Sequence, residues 1–150
     1  MIFGKGAEKG AGSELKAFGA HKVLLVYGGQ SIKKSGLYGR VCDAMRESGL
    51  SWLDLPGVVP NPRVSLVRKG IELCRENGVD FLLAVGGGSV CDYTKALSVS
   101  VHCDEDPWDK YYIRFEEPTC ETLPVGCVLT MVGTGSEMNA GAVITNPKAK

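Results

Sequence analysis

Phe81-Leu82-Leu83-Ala84-Val85 is followed directly by Gly86-Gly87-Gly88-Ser89. A continuous apolar run of this length is typical of a strand that is buried on both faces of a parallel sheet. The glycines allow a sharp turn of the backbone, and a helical pattern over residues 90–101 begins immediately after them. The stretch therefore predicts a strand, a tight turn and a helix, which is the repeating unit of an α/β fold.

The same alternation of strand and helix recurs along the rest of the chain. Strands are predicted at Lys22–Tyr27, Ser51–Leu55, residues 81–85 and Val125–Leu129, with a short final strand at residues 142–145. Helices are predicted at residues 35–48, Val64–Asn77 and residues 90–101, and residues 103–124 are expected to form a long surface loop. This order predicts an α/β fold with a Rossmann-like parallel sheet and helices on both of its faces.

Composition excludes several classes of protein. The 150 residues are 44% hydrophobic, which is enough for the core of one domain and too much for a disordered chain. Because 17 basic and 17 acidic side chains cancel, no nucleic acid or anionic membrane is expected as a partner held by bulk charge. No apolar run approaches the roughly 18 residues that cross a bilayer, and the first residues lack the apolar core of a signal peptide. We therefore expect a cytoplasmic protein.

The chain contains six cysteines, and their spacing argues against a metal centre. They are Cys42, Cys74, Cys91, Cys103, Cys120 and Cys127. Since no two of them form a Cys-x-x-Cys pair, a closed zinc site is not expected. Free cysteines in apolar patterns behave as small hydrophobic residues, so we expect all six to be reduced thiols, mostly in the core.

The turn at Gly86, Gly87, Gly88 and Ser89 has the residues of an anion-binding site. Glycines allow a ligand to approach the backbone closely, and the free amides of a first helical turn face an anion. Ser89 can donate its hydroxyl to the same oxygens or cap the helix. A diphosphate fits this turn best, and the alternative is a tight turn without a ligand. The pattern is neither a Walker loop nor Gly-x-Gly-x-x-Gly.

A second glycine turn, Gly28-Gly29-Gln30-Ser31, ends the first strand. NAD-selective sites commonly place a carboxylate near the adenosine ribose, but this turn contains no acidic residue. Lys33 and Lys34 follow it, and they would attract a 2′-phosphate, so the turn favours NADP. Alternatively, Asp54 at the end of the second strand could accept from the ribose hydroxyl of NAD.

Hydroxyl side chains follow the fourth predicted strand. Thr130, Thr134 and Ser136 are interspersed with Gly133 and Gly135. Hydroxyl groups on a glycine-rich turn suit a phosphate or the amide of a nicotinamide. The alternative is a loop without a ligand.

Seven stretches together carry a family resemblance, and they span almost the whole chain. They are residues 3–8, 23–36, 59–63, 80–92, 106–109, 133–139 and 142–146. In order and spacing they resemble the iron-containing (group III) alcohol dehydrogenases, especially the NADP-dependent butanol dehydrogenase branch. Gln30 departs from the glycine that is common in this branch, so the choice between NADP and NAD stays open.

The resemblance implies a set of cofactor-binding residues. They are Gly29, Gln30 and Ser31 at the adenosine end, Asn61 beside the adenine, Gly86, Gly87, Gly88 and Ser89 at the diphosphate, and Asp92, Thr130 and Thr134 on the nicotinamide side. It also implies a homodimer.

The resemblance further implies a metal-dependent oxidoreductase that moves a hydride between nicotinamide and a primary alcohol or aldehyde. Family members hold iron or zinc with one Asp and three His that lie C-terminal to the stretches matched here. His21 and His102 do not match those ligands, so no metal ligand is expected within residues 1–150. We therefore expect an incomplete dinucleotide-binding α/β domain without the helical metal-binding domain, inactive by itself. The alternative function is a catalytically inactive nucleotide-binding fragment.

Overall fold

The computed structural model describes residues 1–2 and 4–149, so Phe3 of the first matching stretch and Lys150 lie outside the described residues. The strands are β1 (Lys22–Tyr27), β2 (Ser51–Leu55), β3 (Phe81–Gly86) and β4 (Val125–Leu129). The α-helices are α1 (Ala11–Ala17), α2 (Ser31–Lys34), α3 (Leu37–Glu47), α4 (Val64–Asn77) and α5 (Gly88–Ser98). A 3₁₀ turn covers Ala7–Gly10 and a short π-helical segment covers Trp108–Ile113.

The strands form one parallel sheet in the order β2-β1-β3-β4, which confirms the predicted α/β, Rossmann-like fold. Side chains of β1 alternate between two cores. Leu24 and Val26 pack with residues of α4 and α5, whereas Val23 and Leu25 pack with residues of α1 and α3. Because both faces are covered, the strand needs apolar residues at every position, as its sequence indicates.

Three strands have the bounds predicted from the sequence, and β3 extends one residue further, to Gly86. The predicted strand at residues 142–145 is wrong. Thr145 forms only an isolated bridge with Arg63, and the amide of Thr145 donates to the carbonyl of Pro62 at 2.7 Å. This segment therefore pairs with the turn before α4 and does not join the sheet.

The helix predicted over residues 35–48 is α3 in the structure, at Leu37–Glu47, and the short helix α2 before it was not predicted. Gly36 separates them with a φ of 80°, a left-handed conformation that ends one helix and starts the next. The last predicted helix starts two residues earlier than expected, at Gly88, and ends at Ser98. Helix α1 was not expected from the sequence.

Residues 103–124 are more ordered than the predicted surface loop. The π-helical segment Trp108–Ile113 lies within them, and the Lys110 side chain is buried between Glu105 at 3.3 Å and Glu116 at 3.0 Å. A disulfide joins Cys103 to Cys120, so the prediction that all six cysteines are reduced is wrong for this pair. Cys42, Cys74, Cys91 and Cys127 are free thiols.

Candidate functional site

Three polar turns lie together at the carboxyl edge of the sheet. In the strand order, β2 lies beyond β1 and β4 lies beyond β3. The connections that follow β1 and β3 therefore lead away from each other, towards opposite ends of the sheet. Connections that diverge between two neighbouring strands define the point where ligands of open α/β sheets bind. The turns after β1 and β3 flank this point, and the turn after β4 is next to them.

The turn between β3 and α5 requires glycine at its first position. A Cβ atom at Gly86 would lie 2.7 Å from Cγ2 of Val90, so a side chain would collide with the first turn of α5. Gly87 caps α5 without a side-chain hydrogen bond, and residues 87–89 are half-buried. The Ser89 hydroxyl makes no hydrogen bond to any residue that the structure describes. The first amides of α5 and this hydroxyl are therefore available to an anion.

Gly87 and Gly88 differ in what surrounds them. A Cβ at Gly87 would be in ordinary contact with Met131, at 3.8 Å, so packing does not require glycine there. A Cβ at Gly88 would lie 3.0–3.2 Å from three side-chain atoms of Thr134. The amide of Thr130 donates to the carbonyl of Gly86 at 3.0 Å. Thr130 and Thr134 thus lie against the predicted diphosphate turn, whereas space remains beside Gly87.

The turn after β1 is open and polar. The amide of Gly57 donates to the carbonyl of Gly28 at 2.8 Å, which holds the connection after β2 against this turn. Gly29, Gln30 and Ser31 are exposed, and a Cβ at Gly29 would meet nothing within 4 Å. The Gln30 and Ser31 side chains make no hydrogen bonds within the described part of the chain. Their backbone and side chains are therefore accessible to a ligand.

A cluster beside this turn was not found by sequence reasoning. The hydroxyls of Tyr27 and Tyr38 donate to Oδ2 of Asp54 at 3.1 and 2.6 Å. Burial, and then the charge of Asp54, raise the pKa of Tyr27 to about 12. For Tyr38 the hydrogen bond to Asp54 is the largest cause of a raised pKa. Lys33 Nζ lies 5.5 and 5.0 Å from the two tyrosine ring centroids, within cation–π range.

The strand register accounts for the contact between Tyr27 and Asp54, and Tyr38 reaches the same carboxylate from α3. Leu25 of β1 pairs with Asp54 of β2, which places the Asp54 carboxylate near Tyr27 at the end of β1. The sequence indicated part of this cluster, because Asp54 and Lys33 were both candidate contacts to the ribose or its phosphate. The two tyrosines could not be identified, since nothing in their spacing indicates that they share one carboxylate.

Asn61 and Asp92 are not part of the three turns themselves. Asn61 is exposed with a φ of 57°, and no described contact brings its side chain to the other predicted residues. Asp92 Oδ1 lies 3.2 Å from Nζ of Lys95, and Asp92 Oδ2 accepts a hydrogen bond from the amide of Val143 at 3.1 Å. Lys95 also donates to Oδ1 of Asn139 at 2.8 Å. The Asp92 carboxylate therefore holds residues 139–143 against α5, and its place beside a nicotinamide stays a prediction.

The described residues do not fit the iron or zinc that the resemblance implies. Among residues 1–2 and 4–149, no group of three or more His, Cys, Asp or Glu side chains could hold a metal ion. His21 Nδ1 lies 3.2 Å from Oδ2 of Asp80, at the amino ends of β1 and β3 and therefore at the opposite edge of the sheet. His102 is exposed beyond the end of α5. Within the same residues, no helix is long and apolar enough to span a bilayer.

The family model for iron-containing alcohol dehydrogenase matches residues 1–150. The chain belongs to the iron-containing alcohol dehydrogenase family. The probable NADH-dependent butanol dehydrogenase 1 of Bacillus subtilis is 50% identical over 150 residues, which are 100% of this chain and 38% of that relative. The NADPH-dependent aldehyde reductase YqhD of Escherichia coli is 42% identical over 147 residues, which are 97% of this chain and 37% of the reductase.

Solved structures place the fold in the same family. The crystal structure of NADH-dependent butanol dehydrogenase A from Thermotoga maritima is 42% identical, with a TM-score of 0.91 over 97% of this chain and 36% of that one. The chain thus spans less than two fifths of the length of these relatives. The names of these relatives are divided between NADH and NADPH.

Proposed function

We propose that this chain binds a nicotinamide dinucleotide at the carboxyl edge of its sheet. The observation that supports the proposal most directly is the β3–α5 turn, which has first-turn amides without a side-chain cap and space beside Gly87. Within the described residues the Ser89 hydroxyl of this turn has no hydrogen-bond partner. Backbone amides and the helix dipole favour a diphosphate there. Gly86, Gly87, Gly88 and Ser89 form this part of the proposed site.

The two ends of the dinucleotide are assigned from the neighbouring turns. We place the adenosine at Gly29, Gln30 and Ser31 after β1, with Asn61 beside the adenine. The nicotinamide lies on the side of Thr130 and Thr134, which contact the β3–α5 turn. Asp92 acts there as an anchor for residues 139–143.

The proposed reaction is a hydride transfer between the nicotinamide and a primary alcohol or aldehyde. Relatives named butanol dehydrogenase and aldehyde reductase support this class of substrate. The nicotinamide ring would supply the hydride acceptor or donor, and this chain's own residues bind and orient it. Residues 1–150 are in this proposal the dinucleotide-binding α/β domain of a cytoplasmic, metal-dependent oxidoreductase. Since the described residues include no group of side chains that could hold a metal ion, we assign no step to one.

A titration with NADPH tests the site, with Gly87→Val as the decisive variant. Because packing tolerates a Cβ at Gly87, we expect the variant to keep its fold. The valine side chain would occupy the space beside this residue and so block the approach of the diphosphate. We expect the wild-type chain to increase NADPH fluorescence and the variant to bind at least about a hundredfold more weakly, since several charge-assisted hydrogen bonds are lost. Gly39→Ala, at an exposed glycine of α3 with nothing within 4 Å of its Cβ, is the matched control. Unchanged affinity of Gly87→Val would place the diphosphate elsewhere.

Cofactor choice is a separate prediction, and we expect NADPH to bind more tightly than NADH. The turn after β1 has no acidic residue, Lys33 lies beside it, and one oxygen of Asp54 already accepts two tyrosine hydroxyls. Paired fluorescence titrations measure the preference, and Lys33→Ala should weaken NADPH binding about threefold to tenfold without affecting NADH. Tighter binding of NADH that is lost in Asp54→Asn would contradict this choice and assign the ribose contact to Asp54.

A second candidate function is nucleotide binding without catalysis. It is favoured by the lack of a metal-ligand group among the described residues. NADP(H) would then bind measurably, while alcohol-dependent reduction of NADP would be absent even with added iron or zinc. Turnover that depends on the added metal would overturn this candidate.

A further inference from the structure

Two free thiols meet behind the diphosphate turn. Cys91, in the first turns of α5, and Cys127, in β4, have their sulfur atoms 3.6 Å apart, and the Cys91 thiol donates to the Cys127 sulfur. Cys91 is almost completely buried at 1% exposure, whereas Cys127 is only partly buried. The pair therefore combines a partly buried cysteine with a fully buried one whose sulfur is in contact with it.

The environment gives the two thiols different chemical roles. The hydrogen bond from Cys91 lowers the pKa of Cys127 below its usual range, because it stabilises the thiolate. The same contact, together with burial, raises the pKa of Cys91. Cys127 is thus the sulfur that forms a thiolate more readily, and Cys91 is the thiol that keeps its proton to higher pH.

The other free thiols provide a comparison within the same chain. Cys42 on α3 and Cys74 on α4 are buried, and burial is the largest cause of the raised pKa of each. Neither has a second sulfur in hydrogen-bond contact among the described residues. Packing in the apolar core accounts for these two cysteines. Such packing would not by itself require the sulfurs of Cys91 and Cys127 to be in contact.

We propose that Cys91 and Cys127 form a dithiol site that is oxidised by a small peroxide to a disulfide between α5 and β4. The Cys127 thiolate attacks one peroxide oxygen, the O–O bond breaks, and the hydroxide that leaves takes a proton to become water. The Cys91 sulfur then attacks the sulfenic sulfur of Cys127, an S–S bond forms, and the second oxygen leaves as water with the proton of Cys91. Two thiols and one hydrogen peroxide thus give one disulfide and two waters.

The geometry allows this bond with a small movement. An S–S bond is about 2.0 Å long, so the two sulfurs must approach by roughly 1.5 Å. Its position links the site to the β3–α5 turn, because the amide of Cys91 donates to the carbonyl of Gly87 at 3.2 Å. Oxidation would therefore fix the start of α5 to β4 beneath that turn. The site itself does not depend on the proposed nucleotide binding.

The test is peptide mapping of the 150-residue chain after treatment with hydrogen peroxide, without any nucleotide. After free thiols are alkylated and the chain is digested without reductant, we expect one new linked peptide pair that contains Cys91 and Cys127. Its mass should be lower than that of the two peptides by two hydrogens, and dithiothreitol should separate them. Cys42 and Cys74 should remain alkylated as free thiols, and the Cys103–Cys120 link should be present before and after treatment.

Two variants separate the roles of the two sulfurs. In Cys91→Ala the sulfenic acid of Cys127 has no partner, so dimedone should label Cys127 and no linked pair should form. In Cys127→Ala, Cys91 should stay reduced at the same dose of peroxide. The proposal is overturned if Cys91 and Cys127 stay alkylated in the treated wild-type chain, if either pairs with a different cysteine, or if Cys91 reacts equally fast without Cys127.

Discussion

Gly12 shows how closely two helices approach in this molecule. A Cβ atom at this position would lie 2.0 Å from the carbonyl oxygen of Ala44, a backbone atom of α3. No rotamer change can relieve such a contact, so α1 packs on α3 only because residue 12 has no side chain. Helix α1 could not be predicted from the sequence, since Gly12 in its first turn disfavours a helix and the packing on α3 involves residues distant in the chain.

We expect Gly12→Ala to lower the free energy of unfolding by about 3 kcal/mol, the upper end of typical overpacking costs, because backbone must move. Urea denaturation followed by circular dichroism measures this change. Gly39→Ala is the control, since its Cβ meets nothing and alanine should stabilise helix α3 by about 0.5–1 kcal/mol. Equal stabilities of the two variants would contradict the close approach of α1 and α3.

At the scale of elements, strands were easier to predict than the segment after α5. Buried parallel strands are continuous apolar runs, so β1 and β4 could be located to the residue. The helical segment Trp108–Ile113 could not be located, because it depends on a distant partner. Asp106 accepts from the amide of Trp108 at 3.2 Å and from Nε of Arg68, on α4, at 2.7 Å. The Cys103–Cys120 disulfide was missed for the same reason, since spacing alone does not show which cysteines meet.

Asp106 should give this segment a pH-dependent stability. The hydrogen bond from Arg68 is the largest cause that lowers the pKa of Asp106 below its usual value. A lowered folded-state pKa contributes stability above the unfolded value, near 3.9, and this contribution is lost as the pH falls through the folded value. We expect Asp106→Asn to cost ~1 kcal/mol at pH 7 and less at pH 2, measured by urea denaturation at both values.

The control for this prediction is Asp104→Asn. Asp104 is exposed, and its side chain makes no hydrogen bond or ion pair within the described residues. Its replacement should leave the free energy of unfolding unchanged at both pH values. A constant cost of Asp106→Asn from pH 7 to pH 2 would show that packing, and not the carboxylate charge, accounts for its effect.

At the scale of the whole molecule, the candidate site depends on strand order. The turns after β1 and β3 are more than 50 residues apart in the chain and become neighbours only because β3 pairs with β1 and not with β2. The sequence could predict that each turn is polar and lies at the carboxyl edge. It could not predict the shared carboxylate of Tyr27, Tyr38 and Asp54, which depends on the register of β1 and β2 and on the packing of α3. Nor could it predict that Asp92 and Lys95 contact residues 139–143, which are distant in the chain.

If the proposed site exists, nucleotide binding must stabilise the whole fold. NADPH at a hundred times its dissociation constant should raise the free energy of unfolding by about 2.7 kcal/mol, because it binds only the folded chain. The urea midpoint should therefore rise with NADPH in the wild type and in Gly39→Ala, but not in Gly87→Val. If the urea midpoint of the wild type does not change with NADPH, binding at the sheet edge is refuted.

The contact between His21 and Asp80 lies at the other end of the same strands. The amide and the ring of His21 both approach the Asp80 carboxylate, just before β1 and β3 begin, and the His21 side chain is 87% exposed. Six residues of strand separate this end from the turns, a distance of roughly 20 Å. A fluorophore attached at position 21 would therefore report the opening of the two central strands while remaining too far away to compete with a bound nucleotide.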